Sequence, residues 1–223
     1  MLNIKINKVI FTAIFGDHDD LKPIIKQEGF DYIVFTDNPL LKSDIFEVVL
    51  FKEIFSDPKR KTQFCKILPH PLISVYDYSI WVDACLKVDV PDFTILIDNY
   101  LSDYNFALHG HPIRKCIYEE AKRCIEIKKE KEEIIINQMR KYKLEGFPEN
   151  YGLNSCSILY RRHTDEVKEF CKIWWDEINY QSKRDQLSFN YVVWKTGLYF
   201  YTIPGHVRNS NVDGFTLFPH KVK

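Results

Sequence analysis

The chain is predicted to fold as an α/β protein, with a mostly parallel central sheet flanked by helices and all 223 residues in a single domain (1–223). Three observations carry that expectation. Short β-rich apolar runs alternate with helical stretches across short links. Those runs are almost continuously apolar, as strands covered on both faces are. No repeat, low-complexity tract or Gly/Ser-rich linker marks a boundary.

Residues 8–15 (KVIFTAIF), closed by Gly16-Asp17, read as a buried first strand. Asp19 and Asp20 are expected to cap a helix reaching about Gln27, with Pro23 limiting all but its first turn. Residues 31–36 form a second strand that stops at the turn Asp37-Asn38-Pro39, and 46–51 a third. The basic segment from Pro58 through Lys59, Arg60, Lys61 and Lys66 is helical up to Pro69. Residues 78–82 make the fourth strand, 86–90 and 93–97 weaker elements, and 105–109 a short strand. Residues 116–143 are helical with a break near Lys128, in a charge run that reads as a solvated face. Gly146-Phe147-Pro148 ends that segment, and 155–160 is a further strand. In 164–180, Val167, Phe170, Cys171, Trp174, Trp175 and Ile178 recur at helical spacing, an aromatic stripe that reads as core rather than sugar platform. A last helix covers 185–194, and the chain from Tyr199 onward is β-like, then loop.

Lys+Arg and Asp+Glu both number 31, so the formal net charge is zero, which weighs against a nucleic-acid partner. Six cysteines without a C-x-x-C pair read as reduced, buried thiols of a cytoplasmic protein. The polar start has no signal-peptide character, and no apolar run nears the roughly 18 residues of a membrane span, leaving at most peripheral membrane association. Dinucleotide, P-loop, nucleophile-elbow and zincin motifs are absent.

The chemistry centres on Asp83, delivered by the run Ser79-Ile80-Trp81-Val82 to the C-terminal end of a strand, where open α/β sheets place ligand-binding groups. Such a carboxylate can hold Mg²⁺ or Mn²⁺ against a diphosphate. The partner of a D-x-D pair would stand at 85, which is Cys85, a soft ligand for those ions. A second ligand would then come from Asp89, His109, His111 or His206, or the site is metal-free and relies on Arg60, Lys66 and Arg114. His109 and His111, with Cys116 or Cys124, match no common zinc spacing. Arg184-Asp185-Gln186 opens a helix. Asp185 either caps that helix or orients and deprotonates an acceptor hydroxyl, with Gln186 bonding a sugar. The loop from Thr12 and Ala13 to Asp17 would touch a nucleoside, and Asp37 its base.

The blocks TAIFGDHDDL, DYIVFTDN, DPKRKTQFCKILPH, YSIWVDACLKV, HPIRKCIYEEA, GLNSCSILYRRH and WWDEINYQSKRDQLSFNYVVWK, in that order, resemble a glycosyltransferase-like family once catalogued as a domain of unknown function. The family includes plant mucilage-related proteins (the TOD/MUCI type). The resemblance runs from about Val9 to Lys195 and implies a GT-A-like, Rossmann-type sheet that binds a nucleotide sugar with Mn²⁺ or Mg²⁺. By that likeness Asp83 is the metal or donor carboxylate; His206, beyond the matched blocks, is the metal ligand taken with it from the residues alone. Arg60 and Lys66 face the phosphates, His111 and Arg114 match a His-Pro-x-Arg block, and Arg184, Asp185 and Gln186 match an Arg-Asp-Gln block. The implied activity moves a hexosyl or uronosyl unit from a UDP-sugar or similar donor to a saccharide acceptor. The plant relatives carry Golgi anchors, so this chain resembles the short soluble microbial forms, in polysaccharide or glycoconjugate assembly. A non-catalytic nucleotide-sugar or glycan-binding module and a carboxylate/His-dependent hydrolase are the alternatives.

Overall fold

Aromatic and β-branched residues make β1 (Lys8–Ile14), buried at every position after the first, as a strand covered on both faces must be. The computed structural model describes residues 7–51, 55–68, 70–206 and 214–221. After β1 come β2 (Phe30–Thr36), β3 (Glu47–Leu50), α1 (Pro58–Ile67), the one-turn α2 (Pro71–Ser74), β4 (Tyr78–Val82) and β5 (Leu86–Val88). The chain continues through α3 (Phe93–Leu101), β6 (Phe106–His109), α4 (Ile117–Glu126), α5 (Glu132–Leu144), β7 (Ile158–Arg162) and α6 (Asp165–Tyr180). A 3-10 turn (Asp185–Leu187) leads into α7 (Phe189–Thr196), β8 (Tyr201–Ile203) and β9 (Phe215–Leu217).

Seven strands form one sheet in the order β3-β2-β1-β4-β7-β6-β8, and β5 pairs with β9 in a small second sheet. Only β7 runs against its neighbours β4 and β6. The remaining pairings of the large sheet are parallel, so the mostly parallel expectation holds. The exits of β1, β4, β6 and β8 and the entry to β7 therefore meet at one edge. Strand order reverses between β1 and β4, and a crevice opens at such a switch point. Two cores cover the sheet. Val9, Phe11, Trp81 and Leu159 pack with residues of α1 and α4 to α7 on one face, and Ile10, Val34, Ile80 and Tyr160 pack with α3 and the small sheet on the other. The aromatic stripe of α6 is core as expected, with Trp174 fully buried and its Nε1 donating to Ser188 Oγ at 3.0 Å.

The helix expected over 19–27 is absent. Pro23 and Ile24 run extended instead, Ile24 bridging to Val88 in parallel. The carboxylates that would cap a helix are drawn to the C-terminal segment, Asp19 to His220 and Asp20 to Lys221. Strand β7 starts at Ile158 rather than 155; before it the chain meets the end of β6 only through an isolated antiparallel bridge, Asn154 to Gly110, with the Ser155 amide donating to the His109 carbonyl at 2.8 Å. The split near Lys128 holds, with that residue at a φ of 52° between α4 and α5. The start of the chain (1–6), the stop at Pro69 and the segment 207–213 lie outside the described residues. No helix among the described residues is long and apolar enough to cross a membrane.

Gly16 carries the chain out of β1 with φ at +63°, and a Cβ there would lie 2.8 Å from Pro58 Cγ at the start of α1. Gly16→Ala is expected to cost more than about 1 kcal/mol, read as a lowered urea midpoint.

Candidate active site

Alternation along β4 turns Trp81 toward α1 while Ile80 and Val82 enter the opposite core. Asp83 keeps the register of Trp81, whose indole Nε1 donates to Asp83 Oδ1 at 2.7 Å. Its own amide is held by the Ser157 carbonyl at 2.9 Å. Lys66, in the last turn of α1 and 1% exposed, reaches the same oxygen at 3.1 Å and Asp185 Oδ2 at 2.6 Å. One ammonium thus joins two carboxylates that are 102 positions apart in sequence (185 less 83). The end of α1 is itself pinned, because the wholly buried Arg161 donates through Nη1 to the carbonyls of Lys66 at 3.0 Å and Ile67 at 3.3 Å.

Burial works against a charged Lys66, but Asp185 and Asp83 more than reverse it and hold the ammonium above the ordinary lysine range. Burial likewise raises Asp185, and the opposing pull of Lys66, Lys59 and Arg184 keeps its carboxyl well below the usual carboxylate range. Both groups stay ionised at neutral pH.

Two hollows flank this triad. One, of about 230 Å³, lies between the β1 exit (Ala13, Gly16) and Asp83, Ala84 and Lys59. The other, of about 170 Å³, is lined by His111, Ser155, Arg184, Asp185, Gln186 and His206. Lys59, Asp83, Cys85 and His220 line both, so they are two lobes of one cleft at the switch point.

Of the residues expected from sequence, Ala13, Lys66, Asp83, His111, Arg184, Asp185, Gln186 and His206 gather at this cleft, and five others, Thr12, Asp17, Asp37, Arg60 and Arg114, do not. Arg60 faces away: its Nη1 donates to the carbonyls of Ile178 at 2.5 Å and Asn179 at 2.7 Å, closing the end of α6. The cleft-facing cation is its neighbour Lys59. The seven-residue spacing from Lys59 to Lys66 is close to two helical turns, whereas Arg60 lies about 100° around the helix, and that periodicity is the signal that would have found Lys59. Burial depresses the Lys59 ammonium, an effect that Asp185 and Asp83 offset only in part.

Thr12 points to the opposite face of the sheet, into a small apolar hollow with Leu21 and Phe46. Asp37 accepts the Gly16 amide at 3.1 Å and lies 3.7 Å from Lys61. Asp17, at a φ of 52°, accepts from Lys221 at 2.7 Å. Asp17 and Asp37 line a separate hollow beyond β1. Arg114 Nε donates to Glu120 Oε2 at 2.6 Å, and that oxygen lies 3.7 Å from His111 Nε2. His111 Nδ1 accepts the amide of Arg114 at 3.0 Å, which leaves the ring proton on Nε2. Arg114 thus braces His111 from behind.

The donor set at Asp83 does not fit a protein-held Mg²⁺ or Mn²⁺. Oδ1 already accepts from Lys66 and Trp81, and Asp185 accepts from Lys66 and from the Gln186 amide. Burial, with Asp83 and Asp19 nearby, pushes the Cys85 thiol up to about 12, so it remains neutral. Among the described residues Asp83 belongs to no group of three ligand atoms within coordinating reach of one another, and His206 does not complete one. Lys66 occupies the position between carboxylates that a cation would take.

A sheet with this strand order and a charged cleft at its switch point belongs to the GT-A-like class of folds. The fold resembles the crystal structure of a glycosyltransferase involved in the glycosylation of the major capsid of PBCV-1, with a TM-score of 0.51 and 12% identity over 89% of this chain and 82% of that one. Residues 34–203 match the family described as TOD1/MUCI70, glycosyltransferase-like domain, and the chain belongs to that family. A curated relative, "Probable hexosyltransferase MUCI70" of Arabidopsis thaliana, is 27% identical over 213 residues that cover 82% of this chain and 36% of the relative. The chain therefore spans little more than a third of that protein.

Lys66→Met removes the ammonium that bridges the two carboxylates, and is expected to cost about 3–5 kcal/mol at neutral pH. The folded value of Asp185 is depressed, so its contribution is present above the unfolded value of 3.8 and lost as pH falls below it. The deficit of the variant in urea unfolding should therefore shrink as pH drops through the carboxylate range.

Proposed function

We propose that this chain transfers a hexosyl or uronosyl unit from a nucleoside diphosphate sugar, UDP-sugars foremost, to a saccharide acceptor in polysaccharide or glycoconjugate assembly. The observation that carries the reading is the cationic cleft at the β1–β4 switch point, where Lys59, Lys66 and Arg184 surround Asp83 and Asp185. With Lys129 and Asp19 also lining the cleft, four cations stand against three carboxylates, an excess of one positive charge suited to a departing diphosphate. The lobe beside the β1 exit takes the donor. The lobe lined by His111, Ser155, Arg184 and Gln186 takes the acceptor, whose hydroxyls find donors and acceptors there. The family assignment supports glycosyl transfer as the chemistry.

The residues act by fixed charge. Lys66 is held in place by Asp83 and Asp185 before the donor arrives, and such a preorganised cation stabilises leaving-group charge without reorganisation, with Lys59 and Arg184 adding positive charge beside it. Asp185 is a weak base while its carboxyl stays depressed, so its part is to hold Lys66 and shape the acceptor lobe. Asp83 Oδ2 makes no hydrogen bond to another described residue, and Asp83 lines both lobes.

Asp83→Asn is expected to lower glycosyl transfer and donor hydrolysis by about 100-fold or more while circular dichroism stays unchanged. Undiminished turnover removes Asp83 from the reaction. Lys59→Gln should weaken UDP binding by roughly 10-fold or more, the loss of one charged hydrogen bond. In the wild-type protein, UDP affinity should fall as pH rises through the depressed Lys59 value, and calorimetry on Lys59→Gln should show that alkaline limb flattened.

A further inference from the structure

We infer that His18, Asp19 and His220 form a binding site for a divalent transition-metal ion that clips the C-terminal segment onto the loop after β1, at the wall of the donor lobe. The three ligand atoms lie within 4.8 Å of one another, and no other group of three His, Cys, Asp or Glu among the described residues does so. His220 Nδ1 is 3.0 Å from both oxygens of Asp19, and the rings of His18 and His220 stack at 4.7 Å with 21° between their planes. Both histidines are exposed to solvent while Asp19 is half-buried, so an ion can enter and the rings can turn toward it.

The surrounding contacts deliver this cluster and sort its carboxylates. Strand β9 pairs with β5, the Phe218 amide donates to the Cys85 carbonyl at 2.9 Å, and the Lys221 amide to the His18 carbonyl at 3.3 Å. Lys221 then takes Asp17 at 2.7 Å and Asp20 at 2.8 Å, which leaves Asp19 to the histidines. Two imidazoles and one carboxylate suit Zn²⁺ or Co²⁺ and are a poor set for Mg²⁺. Three protein ligands leave a coordination position for an outside oxygen. All three side chains line the lobe that holds Asp83 and Lys59, a site distinct from Asp83 itself. Because the ligands come from positions about two hundred residues apart, binding there fastens the segment 214–221 to the sheet.

The test uses the full chain, freed of metal with chelator and without nucleotide or sugar, so that its outcome is independent of glycosyl transfer. Calorimetric titration with Zn²⁺ and the visible absorption of Co²⁺ should each show one ion per chain, with Mg²⁺ binding far more weakly. His18→Ala and His220→Ala should each weaken Zn²⁺ at least 10-fold with circular dichroism unchanged, while Asp83→Asn binds it as the wild type does. Hydrogen exchange of the amides in 214–221 should slow on Zn²⁺ addition, and not in His220→Ala. Absence of stoichiometric binding, binding indifferent to both histidine variants, loss in Asp83→Asn, or tighter Mg²⁺ than Zn²⁺ binding each overturns the assignment.

Discussion

The ammonium of Lys66, out of water and bonded to Asp83 and Asp185 together, is the contact on which the cleft depends. A buried charge is tolerable only when it is paired and hydrogen-bonded, so this one must draw a helix end, a strand end and a 3-10 turn to a single point. Each arrives by ordinary means. The terminal carbonyls of α1 rest on Arg161, Asp83 is fixed by Trp81 and by its own amide, and the turn at Asp185 is followed by Phe189 deep in the core. The members that meet at Lys66 are in turn tied into the two cores.

That arrangement accounts for the substitution-like look of the Asp83-Ala84-Cys85 run. In a D-x-D site the second carboxylate faces a cation brought from solution. Here a cation grows from α1 instead, and position 85 is a buried neutral thiol beneath the C-terminal segment. Lysine has one further property a resident ion lacks, since its charge responds to its surroundings. Lys59 and Lys66 sit on one helix face, yet burial depresses the first, while the two carboxylates hold the second fully charged.

The C-terminal segment gives the cleft its outer wall. With β9 on β5 and Lys221 among the carboxylates of the loop after β1, His220 lines both lobes. The loop that leaves β1 is consequently not a helix: its carboxylates satisfy a partner from the far end of the chain, and tertiary pairing outweighs the local preference for capping.

The amino-acid sequence by itself determined most of the strands and helices, the helix expected over 19–27 excepted, because apolar period and turn residues are local. The runs at 8–15 and 31–36, the break at Lys128 and the stripe of α6 from Val167 to Ile178 needed no long-range information. It also singled out Asp83 and Asp185, since strand ends and helix starts are where sheets of this kind expose polar groups. Only the tertiary structure decided which cations meet them. Lys59 and Arg60 are adjacent and equally basic, and a rotation of about 100° sends one into the cleft and the other to the carbonyls of Ile178 and Asn179. Likewise Arg114 turns to Glu120, and His220 crosses some two hundred positions to Asp19. A side chain's partner across the fold depends on packing angles and register, and these are set only once all the elements have closed on one another.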